Sequence, residues 1–413
     1  MEKMRWKSWN GAAVPMLLLL IAIVVLHHSI EFTRDDLLFA QYPFSWELVL
    51  HRYAVWTSRT LIEAVLMLVA RLPVMVWKVA DISIMWLFCC LLAWYAAPRG
   101  RFSQGVWCAL VAWLFFPWEI LSTAGWCATT LNYLWPATAG LVAMIPWKQS
   151  WEGRPVSRKL WGVSILALIF ALNAELTWIF LAPIFAISLF AMWKQHHFPR
   201  GCFIHAAVFL LSFAWIATCP GNRMRFMGEM YQWWPDYMAT PLGTKLMLGL
   251  ENMGIFLIFR DNMMLLVGGL LVWMVWHEMQ NKLWRCISLI PIVLKVAGMY
   301  YAHGHKDAPF WAMAAQQMPH AFNPALNESA RGKLLLLVAA SALALLIIGA
   351  CFAFVMRKWR LVGIYLLGLG NPLMMALSPT LFASDTRIFF LLDMTWMFLW
   401  ICCVTGKDAG RWR

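Results

Sequence analysis

Long unbroken apolar runs constrain this chain more than any other feature. Examples are MLLLLIAIVVL at 16–26 and LLLLVAASALALLIIGACFAFV at 334–355. A helix crossing a bilayer takes about 20 mostly apolar residues. By that measure the sequence predicts twelve spans, at 12–28, 77–97, 105–125, 131–147, 159–172, 174–193, 202–218, 262–278, 286–303, 334–356, 361–378 and 388–404. Composition agrees: 62% of the 413 residues are apolar and 13% are charged. Soluble domains average roughly 45–50% and about 25%. One water-surrounded core does not hide that excess, so a soluble enzyme, a DNA-binding protein and a disordered chain are all disfavoured. The expected fold is all-α: a polytopic membrane bundle of about twelve transmembrane helices, with residues 1–413 forming a single transmembrane domain.

The net charge is +13, from 33 basic and 20 acidic residues. In a membrane protein an excess of Lys and Arg marks the cytoplasmic loops. Lys3, Arg5 and Lys7 precede the first span, and Arg99, Arg101, Arg154, Arg158, Arg357, Lys358 and Arg360 lie in short loops of the same parity. Most acids lie in the opposite loops. Both termini are therefore expected in the cytoplasm, which requires an even number of spans. That parity places the apolar stretch 246–259 at the outer interface or as a re-entrant piece. Stretch 61–76, carrying Glu63 and Arg71, suits a helix lying along the membrane surface. No small-x-small cleavage site follows His27-His28, so the first span is expected to stay as an anchor.

Function must then reside in the membrane body and the outer loops 29–76, 219–261 and 304–333. The first loop opens with Asp35-Asp36. A neighbouring acid and partial burial both raise a carboxyl pKa, and such a group can take a proton from a hydroxyl. Equally, such acids cap helices. Trp56-Thr-Ser-Arg59 offers an aromatic and a cation for a sugar or phosphate. Further polar groups stand where helices leave the membrane. They are Asn132-Tyr133-Leu-Trp135-Pro136, Asn173-Ala-Glu175, Pro220-Gly-Asn222-Arg223-x-Arg225, Asn323-Pro324-x-x-Asn327-Glu328-x-x-Arg331 and Ser384-Asp385-x-Arg387. Each alone reads as a turn. Together they put Arg223, Arg225, Arg331 and Arg387 on the side of the acid pair. Arginine suits bidentate phosphate binding, so a substrate with a phosphate and a lipid tail is expected, and no nucleic acid.

Other signals are weaker. Glu119, Lys295 and Asp393 are costly charges within apolar runs, with Lys78 and Asp81 nearer a boundary. A transporter or proton relay would use such groups, but they do not cluster along the chain, which favours interhelical pairing or snorkelling. His27-His28, His196-His197 and His303-Gly-His305 lack zinc-site spacing. The ten cysteines form no metal set; most read as packing residues, with a Cys127–Cys219 bridge left open. Of 28 tryptophans, Trp233, Trp234 and Trp311 are the best placed to stack on a sugar.

The acid pair after the first span, Trp-x-x-Arg in the same loop, NYLWP at 132–136, Asn-x-Glu at 173–175 and PGNxxR at 220–225 resemble a family of bacterial multi-pass proteins. That family is related to the serotype-converting glucosyltransferases of O-antigen, within the GT-C glycosyltransferase class. The resemblance implies a GT-C-like bundle with interfacial helices in its outer loops, seated in a bacterial inner membrane. It implies transfer of a sugar from a polyprenyl-phosphate donor to a lipid-linked or envelope glycan acceptor on the periplasmic face. It implies a general base at Asp35 or Asp36. Substrate contacts would come from Arg59, Asn132, Tyr133, Glu175, Asn222, Arg223, Arg331 and Arg387. Members differ in needing a divalent cation, so the resemblance leaves the metal open. A transporter or flippase of lipid-linked saccharides, or an O-antigen polymerase or ligase, are the alternative readings.

Overall fold

The computed structural model describes residues 11–194, 199–305, 328–355, 358–381 and 383–406. In chain order the helices are α1 (Ala13–His28), α2 (Asp35–Gln41), α3 (Trp46–Val55), α4 (Thr60–Ala70), α5 (Val74–Ala96), α6 (Phe102–Phe115), α7 (Trp126–Asn132), α8 (Leu134–Ala143), α9 (Ile145–Trp151) and α10 (Arg158–Ala171). They continue as α11 (Glu175–Lys194), α12 (Gly201–Thr218), α13 (Pro220–Trp233), α14 (Leu242–Phe259), α15 (Met264–Glu278), α16 (Lys282–Gly304), α17 (Glu328–Ala350), α18 (Trp359–Met374) and α19 (Phe390–Gly406).

The protein is a helical multi-span membrane protein. Among the described residues eight helical stretches are long and apolar enough to cross a membrane: Val74–Ala96, Glu175–Lys194, Gly201–Thr218, Leu242–Phe259, Lys282–Gly304, Arg331–Phe354, Trp359–Leu377 and Asp385–Gly406. This corrects the expected twelve, and the causes are local. Stretch 131–147 is three short helices. Tyr133 and Met144 interrupt it, and Pro136 and Pro146 each stand in the first turn of a restarted helix, where a missing N–H costs nothing. Within stretch 105–125 the α-helix stops at Phe115, because Pro117 ends it, and only a short 3-10 helix, Trp118–Ser122, follows. α1, α15 and α10 hold 16, 15 and 14 residues, each shorter than a full crossing. Conversely α14, expected at the interface, is a continuous 18-residue apolar helix and one of the eight. The parity argument that kept 246–259 out of the membrane falls with that helix. α4 ends at Ala70 and is too short to cross.

The chain divides into two compact units. Of the described residues, one unit comprises those within 11–95 and 119–228, and the other those within 96–118 and 229–406. In the first unit α2, α3, α4 and α7 pack together, and α10 packs on α8 and α12. Beneath the short helices lies an apolar core of Phe39, Val49, Ile62, Leu66, Met67, Trp77, Cys127 and Leu131. Cys127 and Cys219 are both free and buried, which closes the possible bridge.

In the second unit α19 packs on α6, α15 and α18, and α16 packs on α14, α15 and α17. Its buried charges act on the turn between α14 and α15. Asn262 donates to the Phe256, Leu257 and Arg260 carbonyls at 2.6, 3.2 and 2.9 Å and accepts from the Met264 amide at 3.0 Å. It thus closes one helix and opens the next. Lys295 of α16 donates to the Arg260 carbonyl. Asp393 of α19 accepts from the Met263 amide at 2.9 Å. A cation at a helix C-terminus and an anion at an N-terminus both complement the helix dipoles.

Candidate functional site

The first unit gathers four of the sequence motifs on one turn, Thr57–Arg59, between α3 and α4. Ser58 is fully buried. Its amide donates to Asn222 Oδ1 at 3.1 Å, its hydroxyl donates to Glu175 Oε1 at 2.9 Å, and Asn222 Nδ2 donates to that hydroxyl at 3.1 Å. Its carbonyl accepts from Trp215 Nε1 at 3.1 Å and Asn173 Nδ2 at 3.3 Å. The close approach of α13 explains Gly221: a Cβ there would stand 2.3 Å from the Trp56 nitrogen.

Arg59 follows. Its Nε donates to Glu175 Oε2 at 2.5 Å and its Nη1 to Asn132 Oδ1 at 2.9 Å. Burial opposes its charge, but Glu175, Tyr133 and Glu63 more than offset this and raise its pKa. Tyr133, buried at the break between α7 and α8, thus acts on the same cation. Arg225 Nη1 lies 3.4 Å from Thr57 Oγ1, and its charge also acts on Glu175. Glu63 is engaged by Arg52, whose Nη2 donates to Glu63 Oε1 at 2.8 Å, so the centre itself holds two guanidinium groups and one carboxylate. A guanidinium has five donors, and Arg59 spends two on Glu175 and Asn132.

Asn173 belongs to this centre by another route. Its Oδ1 accepts from the Leu61 and Ile62 amides at 3.0 and 3.1 Å. These are first-turn donors of α4, a helix with no capping side chain of its own. Asn173 therefore caps it from a distant turn.

The acid pair divides. Asp36 is fully buried, whereas Asp35 is exposed. Asp36 Oδ1 accepts from the Ala128 amide at 2.7 Å and Oδ2 from the Thr33 amide at 3.2 Å. Burial raises the Asp36 pKa; the Ala128, Thr33 and Cys127 amides oppose that, and Asp35 adds to it. Asp36 therefore caps α7, whose N-cap is Gly125 with φ +100°. A Cβ at Gly125 would stand 2.5 Å from the Thr33 oxygen and 2.6 Å from the Asp36 carboxyl carbon. Asp35 is held by its backbone: its amide donates to the Ala124 carbonyl at 3.1 Å, and the Arg34 side chain donates to the Thr123 carbonyl. Arg34 has φ +50°, a sparsely populated backbone region for a side-chain-bearing residue.

α7 links the two places. Asp36 holds its first turn, and Asn132, its last residue, accepts from Arg59. Seven residues at 1.5 Å rise separate the acid pair from the Arg59 centre by roughly 10 Å along the axis.

Other expected residues lie elsewhere. Arg223 is exposed on α13, and Arg225 rather than Arg223 faces the turn. Arg331 begins the apolar part of α17 and Arg387 lies half-buried in the 3-10 turn Asp385–Phe389; both belong to the second unit. Trp56 and Trp233 are exposed, while Trp234 is buried against Tyr237. His196, His197, Trp311, Asn323, Pro324, Asn327 and most of loop 304–333 lie outside the described residues. Among the described residues no group of three or more His, Cys, Asp or Glu could hold a metal ion.

Two residues at the heart of the unit carried no site role in the sequence reading, Asp81 being read there only as a charge near a span boundary. Ser58 lay inside a quoted motif, but nothing local marks it as a hub. Asp81 is paired with His27 Nε2 at 2.9 Å and accepts from Trp135 Nε1 at 2.6 Å. Its position within an apolar helix was the available signal. No protein-family model, curated protein or solved structure matches the chain.

Proposed function

We propose that the protein is a membrane glycosyltransferase. It moves a sugar from a polyprenyl-phosphate donor to a lipid-linked or envelope glycan on the periplasmic face, with inversion at the anomeric carbon. The observation that carries this reading is the assembly of Arg59, Glu175, Asn132, Asn222 and Arg225 from separate helix mouths around one turn, with exposed Asp35 at the far end of α7.

In this reading Asp35 takes the proton of the acceptor hydroxyl as its oxygen attacks the sugar, and the donor phosphate leaves. Asp36 is the positioning residue that sets the loop. Arg59 and Arg225, less Glu175, sum to one net positive charge. That matches a phosphodiester, which carries one negative charge and gains a second as the sugar departs. A fixed cation aimed at developing charge lowers such a barrier. A diphosphate-linked donor, as a polymerase or ligase would use, carries more charge than this centre balances.

The test is Asp35→Asn in cells, with membrane insertion verified. Surface glycans read by mass spectrometry should lose the added sugar. A stably inserted Asp35→Asn that leaves the glycans as in wild type would sink the proposal.

One observation favours a second reading. The second unit buries Lys295 and Asp393 completely, and embedded ionisable groups mark transport paths as well as structural clamps. Proteoliposomes with labelled donor lipid separate the two: sugar transfer supports the enzyme, translocation without transfer a flippase.

A further inference from the structure

The buried charges of the second unit are unequal in how they are satisfied. Lys295 donates to the Arg260 carbonyl. Asp393 spends Oδ1 on the Met263 amide at 2.9 Å, and its Oδ2 is buried with no hydrogen-bond partner. Both side chains are fully buried, and Lys295 and Asp393 make no contact within 4.0 Å among the ion pairs of the described residues. One turn further along α19, Trp396 Nε1 is also buried without a partner.

The place is an interruption in the helical body. α14 ends at Phe259 and α15 begins at Met264, and the two helices do not pack side by side. α16 runs past the junction: a Cβ on Gly298 would stand 2.5 Å from the Ile258 carbonyl oxygen. Non-helical backbone at membrane depth persists only inside protein or beside water. The charged group that acts on Asp393 across the break is Lys295 from α16, on which Asp261 of the turn also acts. Of the other helices packed on α19, α6 carries no Asp, Glu, Lys, Arg or His, and α18 carries only Arg360, in its first turn. No titratable group of α15 lies in its first three turns.

An ionised carboxylate with one bare oxygen in a dry site is costly, and so is an ammonium with no contacting anion. A buried charge in that position neutralises by exchanging a proton. We propose that Asp393 is a proton-binding site: it carries a proton on Oδ2 while the α14–α15 break is closed, and gives it up when the break opens to water or brings Lys295 into contact. The balance is simple. One O–H bond breaks, and the proton passes to water or to the Lys295 amine, leaving a carboxylate that then has a donor. Movement of this turn is thereby coupled to one proton. The proposal is independent of the sugar-transfer reading.

Infrared difference spectroscopy of the full-length protein in detergent, wild type minus Asp393→Asn at neutral pH, tests it. The protonated-carboxyl stretch should appear in the difference. Asp393→Asn, which keeps the acceptor for Met263, should unfold within a few degrees of wild type. The idea is overturned if no such band is lost, and if Asp393→Asn is less stable than wild type but recovers on adding Lys295→Met. That pattern is a permanent ion pair. Should Asp393→Asn fail to insert, the Asp36→Asn variant, with Asp393 intact and grown on isotope-labelled aspartate, serves instead. A labelled aspartic-acid stretch at neutral pH supports the site, and its absence removes it.

Discussion

Asp36 Oδ1 accepts the amide of Ala128 at 2.7 Å, so an acid at the head of one helix caps another helix ninety-two residues away. Its own chain neighbour Asp35 is left exposed. Two adjacent carboxyls thereby receive different places, one buried as a helix cap and one exposed.

Replacing Asp36 by Ala removes the acceptor from two backbone amides. Loss of a cap costs about 0.5–2 kcal/mol. The buried Ala128 amide, left unpaired, sets the upper end. Asp36→Asn keeps one acceptor but turns a donor toward Thr33, so it should fall between Ala and wild type. Thermal unfolding in detergent ranks the three.

The same residue sets a pH dependence. Its folded pKa is raised above its unfolded value, with burial the main cause. Between those two values the folded state binds the extra proton, so stability declines as pH rises through that window and is level above it. The Asp36 contribution is fully present below the unfolded carboxylate value. Asp36→Asn should flatten this segment of the midpoint-against-pH curve, and an unchanged slope would show that Asp36 is not its source.

Gly125→Ala should destabilise by more than about 1 kcal/mol, because φ is +100° and the new methyl meets the Thr33 oxygen and the Asp36 carboxyl. Gly100→Ala also meets a positive φ but open space, so it should cost less. The difference between their unfolding midpoints isolates the contact from the backbone strain.

Asn173→Ala should cost about 1–2 kcal/mol, since the Leu61 and Ile62 amides lose their acceptor. Asn173→Asp should recover part of it, because a carboxylate suits a helix N-terminus. Unfolding midpoints of the two variants decide the order, and Asp below Ala would contradict the capping role.

The neighbouring arginines should separate by function. Arg225 reaches the turn whereas Arg223 is exposed. A hydrogen bond to a charged group is worth about 1.5–3 kcal/mol, so Arg225→Ala should reduce glycan modification by roughly ten- to a hundredfold. Arg223→Ala should stay near wild type. Quantitative mass spectrometry of surface glycans gives both values.

The sequence by itself determined the all-helical, multi-span character, since apolar runs of that length have no other way to be covered. It also picked out Arg59, Asn132, Glu175 and Asn222, because polar residues beside Pro and Gly at helix mouths stand apart from their apolar surroundings. Span number was not legible in the same way. Average hydropathy is blind to a proline that restarts a helix, so 131–147 read as one span and is three helices.

Tertiary structure alone decided which acid is buried, that Arg225 rather than Arg223 faces the turn, and that Ser58 joins the motifs. It also decided that Asn173 and Asp36 cap helices they do not belong to. The physical reason is common to all four. A buried donor must find an acceptor, and where the local chain supplies none, as at Gly125 and Arg59, the partner comes from a segment that only folding brings near.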